Sequence, residues 1–407
     1  MPQTVQQQLA ESVVANRTRD SELDAVHEAR SAVETLAEAL ERVRFEGYDP
    51  YDALSSRALR TLARTRTLRQ LAIQGLRRSP INVRPLVGVG PRPHAKADAL
   101  LVSSYVRLDA CGYPGARAVA LKLGRRLVDA AVETESGVGW GYGFDVQTRW
   151  GYYPAGTPNA IVTSFAVLAL LDLAALEPNR ELDELIRQAV IFACGDLLSG
   201  GGSYYSYCPD SKTPIHNANV LVAEFVGRCA APGSAAATSA TESMSYTLSR
   251  QRRDGSWPYG EARGLGWVDG FHTAFVLGAL RRWYERTGDA EVGAALQRGL
   301  GFYLQRLIEP NGLTRASTTS RYPVDIHAAS TAIWTLSETA RFEPSTRAVA
   351  SRVLGWTLLH MRRSDGRFAF QLHRRLHNSI PYIRWSDAHM LLALASFLRM
   401  QQETGVG

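Results

Sequence analysis

The chain has 407 residues, more than one compact hydrophobic core usually serves, so it needs either several domains or a repeated architecture. Hydrophobic residues make up 45% and charged residues 21%, which excludes a disordered or collagen-like chain. The net charge of +7 is carried almost wholly by arginine and favours acidic partners, without choosing among phosphates, carboxylated glycans, membrane surfaces and nucleic acids.

The first 21 residues are polar and are expected to be disordered. They carry neither the basic nor the apolar region of a secretory leader, which predicts a cytoplasmic protein. Leu23, Val26, Ala29, Val33, Leu36 and Leu40 recur at helical spacing and predict a helix over residues 22–43, ended by Gly47-Tyr48-Asp49-Pro50. From Arg57 to Arg84 there are eight arginines and no acidic residue, with Leu59, Leu62, Leu68, Leu71 and Leu76 forming an apolar face. This stretch reads as an outer helix with a solvated basic face, and its alternative is peripheral contact with a membrane surface. It has no interleaved aromatics, so no nucleic-acid partner is expected.

The remainder repeats. Apolar helices are predicted from Lys96 to Leu108 and then from starts near Thr157, Ile215, Val268, Val324 and Arg384, the last five spaced by 53 to 60 residues. One-faced helices alternate with them: Ala116–Glu133, Glu181–Leu198, Ala235–Gln251, Ala290–Leu307 and Ser345–Met361. Helices apolar all round belong inside and one-faced helices outside, so the alternation predicts two concentric rings, an all-α (α/α)6 toroid. Residues 93–407 would form the toroid domain. Residues 22–92 would pack on it and close it, with the basic stretch as the sixth outer helix. Glycine turns with alternating aromatics follow the outer helices at Gly139–Tyr142, Gly202–Tyr205, Asp254–Tyr259 and Asp365–Phe370 and read as short β-hairpins at one mouth.

Cys111, Cys194, Cys208 and Cys229 form no C-x-x-C pair and read as free thiols. No metal-ligand or dinucleotide motif is present, so no metal or cofactor is expected.

The motif Gln251-Arg252-Arg253-Asp254-Gly255-Ser256-Trp257 resembles the repeat of squalene-cyclase and protein-prenyltransferase toroids, in which a glutamine precedes Asp-Gly-Ser-Trp. Ser79–Pro85, Trp140–Pro158, His216–Asn219, Trp267–Thr273, Tyr322–His327 and Pro381–Trp385 resemble a group of bacterial toroid proteins often encoded with polysaccharide-biosynthesis enzymes. The resemblance runs from about residue 45 to the C-terminus. It implies the toroid and a role in envelope or exopolysaccharide synthesis. The Asp-x-Asp-Asp motif of class II terpene cyclases and the zinc ligands of the prenyltransferases are absent, so those two families imply fold and not activity.

Three predicted inner helices begin with an aspartate and a histidine: Asp269 with His272, Asp325 with His327, and Asp387 with His389. Such groups exchange protons near neutral pH when a cavity shifts their pKa. The candidate acid–base residues are Asp145, His216, Asp269, His272, Asp325 and His327. The bland alternative is helix capping for the aspartates and packing for His389. Substrate contacts are expected from Trp140, Tyr142, Trp150, Tyr152, Trp257, Tyr259, Trp267 and Trp385, whose flat faces suit sugar rings or isoprenoid chains. Asn217 is added, and Arg149, Arg321 and Arg384 are expected to hold a carboxylate or phosphate.

Three functions follow. The first is a carbohydrate-active enzyme of hydrolase, epimerase or lyase type acting on an acidic or lipid-linked oligosaccharide. The second is a terpenoid cyclase or prenyltransferase-like enzyme. The third is a non-catalytic glycan-binding scaffold.

Overall fold

The computed structural model describes residues 23–148, 151–403 and 405. The segment expected to be disordered, together with Arg149 and Trp150, lies outside the described residues.

The inner ring consists of α4 (Ala95–Ala110), α6 (Ala160–Leu176), α8 (His216–Cys229), α10 (Gly270–Thr287), α12 (Ile326–Thr339) and α14 (Ala388–Glu403). Each packs on the next in chain order, and α14 packs back on α4, so the ring is closed. Its helices are inner because they are apolar nearly all round. In α6 every residue from Ala160 to Val167 is buried. The outer helices α5 (Ala116–Asp129), α7 (Arg180–Phe192), α9 (Ala235–Leu248), α11 (Ala290–Arg306) and α13 (Thr346–Met361) each bury one stripe. In α7 that stripe is Leu182, Ile186, Ala189 and Phe192. The chain is therefore an (α/α)6 toroid.

The sixth outer position corrects the expectation for the basic stretch. It is taken by α1 (23–42), whose Ala29, Ala32, Val33, Leu36 and Leu40 enter the main core. Arg362 Nη2 donates to Thr35 Oγ1 at 2.8 Å on one side of it, and Arg126 Nη2 to the Phe45 carbonyl at 3.1 Å on the other. The basic stretch instead forms α2 (Arg57–Leu62) and α3 (Arg66–Arg78), which share a separate small core of Ala53, Leu54, Ala63, Ile73 and Leu76. Helix α3 lies against the loops of the mouth. Arg69 Nε donates to Gln147 Oε1 at 2.7 Å, Gln70 Nε2 to the Thr148 carbonyl at 3.0 Å, and Asn378 Nδ2 to the Ser79 carbonyl at 3.0 Å.

Short antiparallel ladders connect outer to inner helices: β1 (Val132–Glu133) with β2 (Val138–Gly139), and β5 (Leu198–Ser199) with β6 (Tyr204–Tyr205). Between these two ladders in chain order, and still before α6, β3 (Val146–Gln147) pairs with β4 (Tyr152–Tyr153). At the end of the chain β8 (Gln371–Leu372) joins β7 (Val324–Asp325) to β9 (His377–Asn378).

The Gln251–Trp257 motif forms a clamp rather than the hairpin expected there. Gln251 Nε2 donates to the Ala295 carbonyl at 2.9 Å, Arg298 Nη2 to Gln251 Oε1 at 2.7 Å, and Trp257 Nε1 to the Thr247 carbonyl at 3.0 Å. Gly255 turns with φ +91° so close to α11 that a Cβ would sit 2.4 Å from the Arg298 carbonyl oxygen. The motif thus ties α9 to α11. Among the described residues no helix is long and apolar enough to cross a membrane.

Candidate functional site

A cavity of about 920 Å³ opens at the end of the ring where the inner helices begin. Inner-helix starts supply Lys96, Asn217, Asp269, His272, Asp325, His327 and Trp385, the loops supply Tyr142, Tyr207 and Tyr259, and α3 supplies Gln70 and Arg77.

Asp269 caps α10, accepting the His272 amide at 3.0 Å, and the same carboxylate lies 2.8 Å from His272 Nδ1. The His272 ring is held between Phe271 at 4.0 Å and Tyr259 at 4.5 Å, measured between ring centroids. A carboxylate on Nδ1 fixes the proton there and leaves Nε2 as the acceptor. The cap expected for Asp269 is therefore made, and the same carboxylate also meets the imidazole. Its oxygens orient the helix and the imidazole at once.

Asp325 caps α12 through the His327 amide at 2.9 Å, and it also accepts Trp385 Nε1 at 2.8 Å and Gln371 Nε2 at 2.5 Å. Burial pushes its carboxyl above the ordinary range, against the pull of these donors. His327 Nδ1 lies 3.2 Å from the Trp385 carbonyl, which can only accept, so the proton sits on Nδ1 and Nε2 is again the acceptor. The ring stacks on Trp385 at 4.3 Å and 26° and meets the His389 ring at 4.0 Å. Burial, then Lys96, hold His327 well below the usual histidine range, so the ring is neutral at pH 7.

The cations of the site differ in what they meet. Arg384 is clamped by Asp49, with Nε on Oδ2 at 2.5 Å and Nη2 on Oδ1 at 2.9 Å. Arg77 lies over Tyr51 at 5.2 Å with its Nε buried and without a partner. Lys96 lies over Phe165 at 4.3 Å. Neither Arg77 nor Lys96 meets a carboxylate among the described residues. Asn217 Oδ1 is also buried without a partner.

Of the residues expected to contact substrate, Tyr142, Asn217, Tyr259, Trp267, Arg384 and Trp385 line the cavity, with Trp267 stacked on Tyr259 at 4.4 Å and 11° at the exposed rim. Other candidates fall outside its lining. Asp145 clamps the β3–β4 hairpin, accepting Tyr152 Oη at 2.5 Å and the Ala155 amide at 2.9 Å, which occupies both residues. His216 is buried beneath α9, with Nδ1 3.4 Å from Thr247 Oγ1 and Nε2 3.6 Å from Glu261, too far for a hydrogen bond. Burial lowers its pKa to about 4. Trp140 is fully buried and donates to the Leu127 carbonyl at 2.8 Å, so it and Trp257 pack one repeat on the next. Arg321 pairs with Glu309 at 2.8 Å.

Sequence reasoning missed Lys96 and Arg77. Lys96 is the second residue of an inner helix, the position that His327 holds in α12, and that position was its signal. Arg77 became visible only when α3 left the outer ring.

No protein-family profile and no curated protein sequence matches the chain. Solved structures do match. An unsaturated glucuronyl hydrolase specific for heparin superposes with a TM-score of 0.60 at 11% identity, over 93% of this chain and 98% of that one. A sugar epimerase from a ruminal bacterium gives 0.60 at 11% identity, over 77% and 88%. Cellobiose 2-epimerase from Spirochaeta thermophila gives 0.57 at 12% identity, over 77% and 87%. At such identities the likeness is one of fold: the chain is a toroid built like those of sugar hydrolases and epimerases.

Proposed function

We propose that the protein is a carbohydrate-active enzyme that moves a proton at a sugar carbon next to a carbonyl or carboxylate, an epimerase- or isomerase-type reaction on an acidic glycan. The observation that carries this reading is the pair His272 and His327. Two imidazoles on adjacent inner helices line one cavity, each with Nδ1 engaged and Nε2 left as acceptor. One ring takes the proton on its Nε2, and the other takes up a proton from solvent on its Nε2 and returns it to carbon. The first then sheds its proton to solvent, with Asp269 stabilising the imidazolium whenever it forms at His272. Arg77 holds the acid group, Asn217 takes a hydroxyl, and Tyr259 with Trp267 offers a platform for the next sugar.

Hydrolysis is the second reading, favoured by the raised carboxyl of Asp325, which suits a proton donor. Against it, Asp269 and Asp325 both spend oxygens on caps and neighbours. Incubation of acidic oligosaccharides with the protein in deuterated water separates the two. Deuterium at a sugar carbon, lost in His272→Gln and His327→Gln, supports proton transfer. Cleavage lost in Asp325→Asn supports hydrolysis, and neither product leaves a binding scaffold.

A place in bacterial envelope or exopolysaccharide synthesis rests on the motif resemblance, and a lipid-linked substrate is its further form. That form is supported by α2 and α3, which expose Leu62, Leu68 and Leu71 among their arginines. Co-sedimentation with anionic but not neutral vesicles tests the contact. The terpenoid reading is disfavoured by the cavity floor, where Lys96 and His327 stand.

A further inference from the structure

Only three of the 46 basic side chains are lysines: Lys96, Lys122 and Lys212. The chain uses arginine wherever a buried cation meets a carboxylate, as in Arg84–Asp52, Arg384–Asp49 and Arg107–Glu338. Lys122 and Lys212 are exposed, whereas Lys96 is 2% exposed and lines the floor of the mouth cavity. Its Nζ sits 4.3 Å from the Phe165 ring centroid and 5.1 Å from that of Phe275. The charged and titratable groups around it are Arg384 with its partner Asp49, His327 and His389. A guanidinium keeps its proton at any working pH, and an amine does not. Burial, then Arg384, drive the Lys96 amine well below the usual lysine value, so its lone pair is free more often than that of an exposed lysine. An amine that binds nothing acidic, on an aromatic seat beside a neutral imidazole, is placed as a nucleophile.

We propose that Lys96 is a nucleophilic residue that captures the open-chain carbonyl of a reducing acidic sugar as an imine in the mouth cavity. This rests on the proton-transfer reading above and narrows its substrate, because a lipid-linked sugar has no free carbonyl. The Nζ lone pair adds to the carbonyl carbon, the C=O π pair moves to oxygen, and that oxygen takes the proton shed by Nζ. The carbinolamine hydroxyl takes a proton from solvent and leaves as water, and the nitrogen lone pair forms the C=N bond while its one hydrogen stays, so the imine is protonated until hydrolysis returns that proton to solvent. The protonated imine draws electrons from the neighbouring C–H bond, so His327 removes that proton more readily than from the free sugar. Reprotonation and addition of one water restore the amine and release the product, so atoms and charges balance without any oxidant.

The test uses the full chain with two probes, glyoxylate and D-glucuronic acid, each reduced in place with cyanoborohydride and followed by peptide mass spectrometry of all three lysines. Lys96 is expected to be labelled at pH 7 at least about tenfold faster than Lys122 and Lys212, since each unit of pKa depression raises the neutral fraction tenfold. His327→Gln should keep that labelling, and Lys96→Arg and Lys96→Met should lose it with unchanged circular dichroism. Labelling of Lys96 no faster than of the two exposed lysines overturns the proposal. Sugar deuteration without any Lys96 adduct also overturns it, leaving the histidine reading in place. A Lys96 adduct without deuteration supports the amine site and removes the histidine reading instead.

Discussion

The two ends of the inner ring are made by the same helices and treat charge in opposite ways. Where the helices end, Glu338 accepts Arg107 at 2.8 Å and Arg281 at 2.6 Å, Arg107 also meets Asp172 at 3.1 Å, and Arg282 meets Glu224 at 3.1 Å. A cavity of about 530 Å³ is present at that end as well. Burial pushes the Glu338 carboxyl up, but Arg107 and Arg281 outweigh it and hold it well below the carboxylate range. Where the helices begin, Lys96 and Arg77 meet no carboxylate among the described residues, and Asn217 Oδ1 and His389 Nε2 are buried without partners. Volume alone does not distinguish scaffold from site here. The pairing of lysines and arginines does: Arg384 apart, those lining the mouth meet no carboxylate among the described residues, and a buried polar group left unpaired is costly and persists where something else requires it.

That contrast can be broken by substitution. The largest effect is expected at the mouth. His272→Gln and His327→Gln should each lower turnover by about 10²–10⁴-fold while melting temperature shifts by a few degrees at most. Equal losses of stability and activity would make the mouth another piece of scaffold. At the opposite end Glu338→Ala leaves Arg107 only Asp172 and Arg281 only Glu285, and the loss of the shared carboxylate's charge-assisted hydrogen bonds should cost about 3 kcal/mol in urea unfolding, with KM of the folded fraction unchanged.

A third expectation concerns His216, which packs without lining the cavity. Its folded pKa is about 4 against 6.5 for an unperturbed histidine. As pH falls through 6.5 the unfolded chain binds a proton that the folded chain refuses, so stability is full above 6.5 and declines down to about pH 4. Relative to His216→Gln, the native chain should lose about 3 kcal/mol across that window. A parallel pair of stability curves would show that His216 is not shielded. The smallest effect is that of Arg77→Met, which should raise KM for an acidic substrate about tenfold and leave a neutral analogue unaffected, as expected for one charge-assisted hydrogen bond.

The architecture was legible because helical period and burial coincide. Val162, Phe165 and Ala166 of α6 are apolar where no face sees water, and Leu182 and Ile186 of α7 are apolar on one stripe. Part of the lining of the mouth was legible for the same reason, since Asp269 and Asp325 mark helix starts that the ring gathers at one end. Asp145 and His216 have equally reactive side chains and are consumed locally, by Tyr152 and by burial beneath α9. Nothing in a linear pattern separates an aspartate that clamps a hairpin from one that faces a cavity. The basic stretch was misplaced because its own small core, Leu54 with Ile73 and Leu76, gives it the same apolar spacing as an outer helix.

The seam of the ring bears on how the protein is made. Thr35 and Arg362 are bonded across 327 positions of chain. At a synthesis rate of about 5–20 residues per second, α1 leaves the ribosome tens of seconds before the repeat that covers it. Through that interval Ala29, Val33, Leu36 and Leu40 stay open to water, a hydrophobic stripe that a chaperone would hold. A circular permutant translating residues 23–92 after residue 403 would abolish the wait and keep every contact of the ring, and its refolding yield would report how much that delay matters.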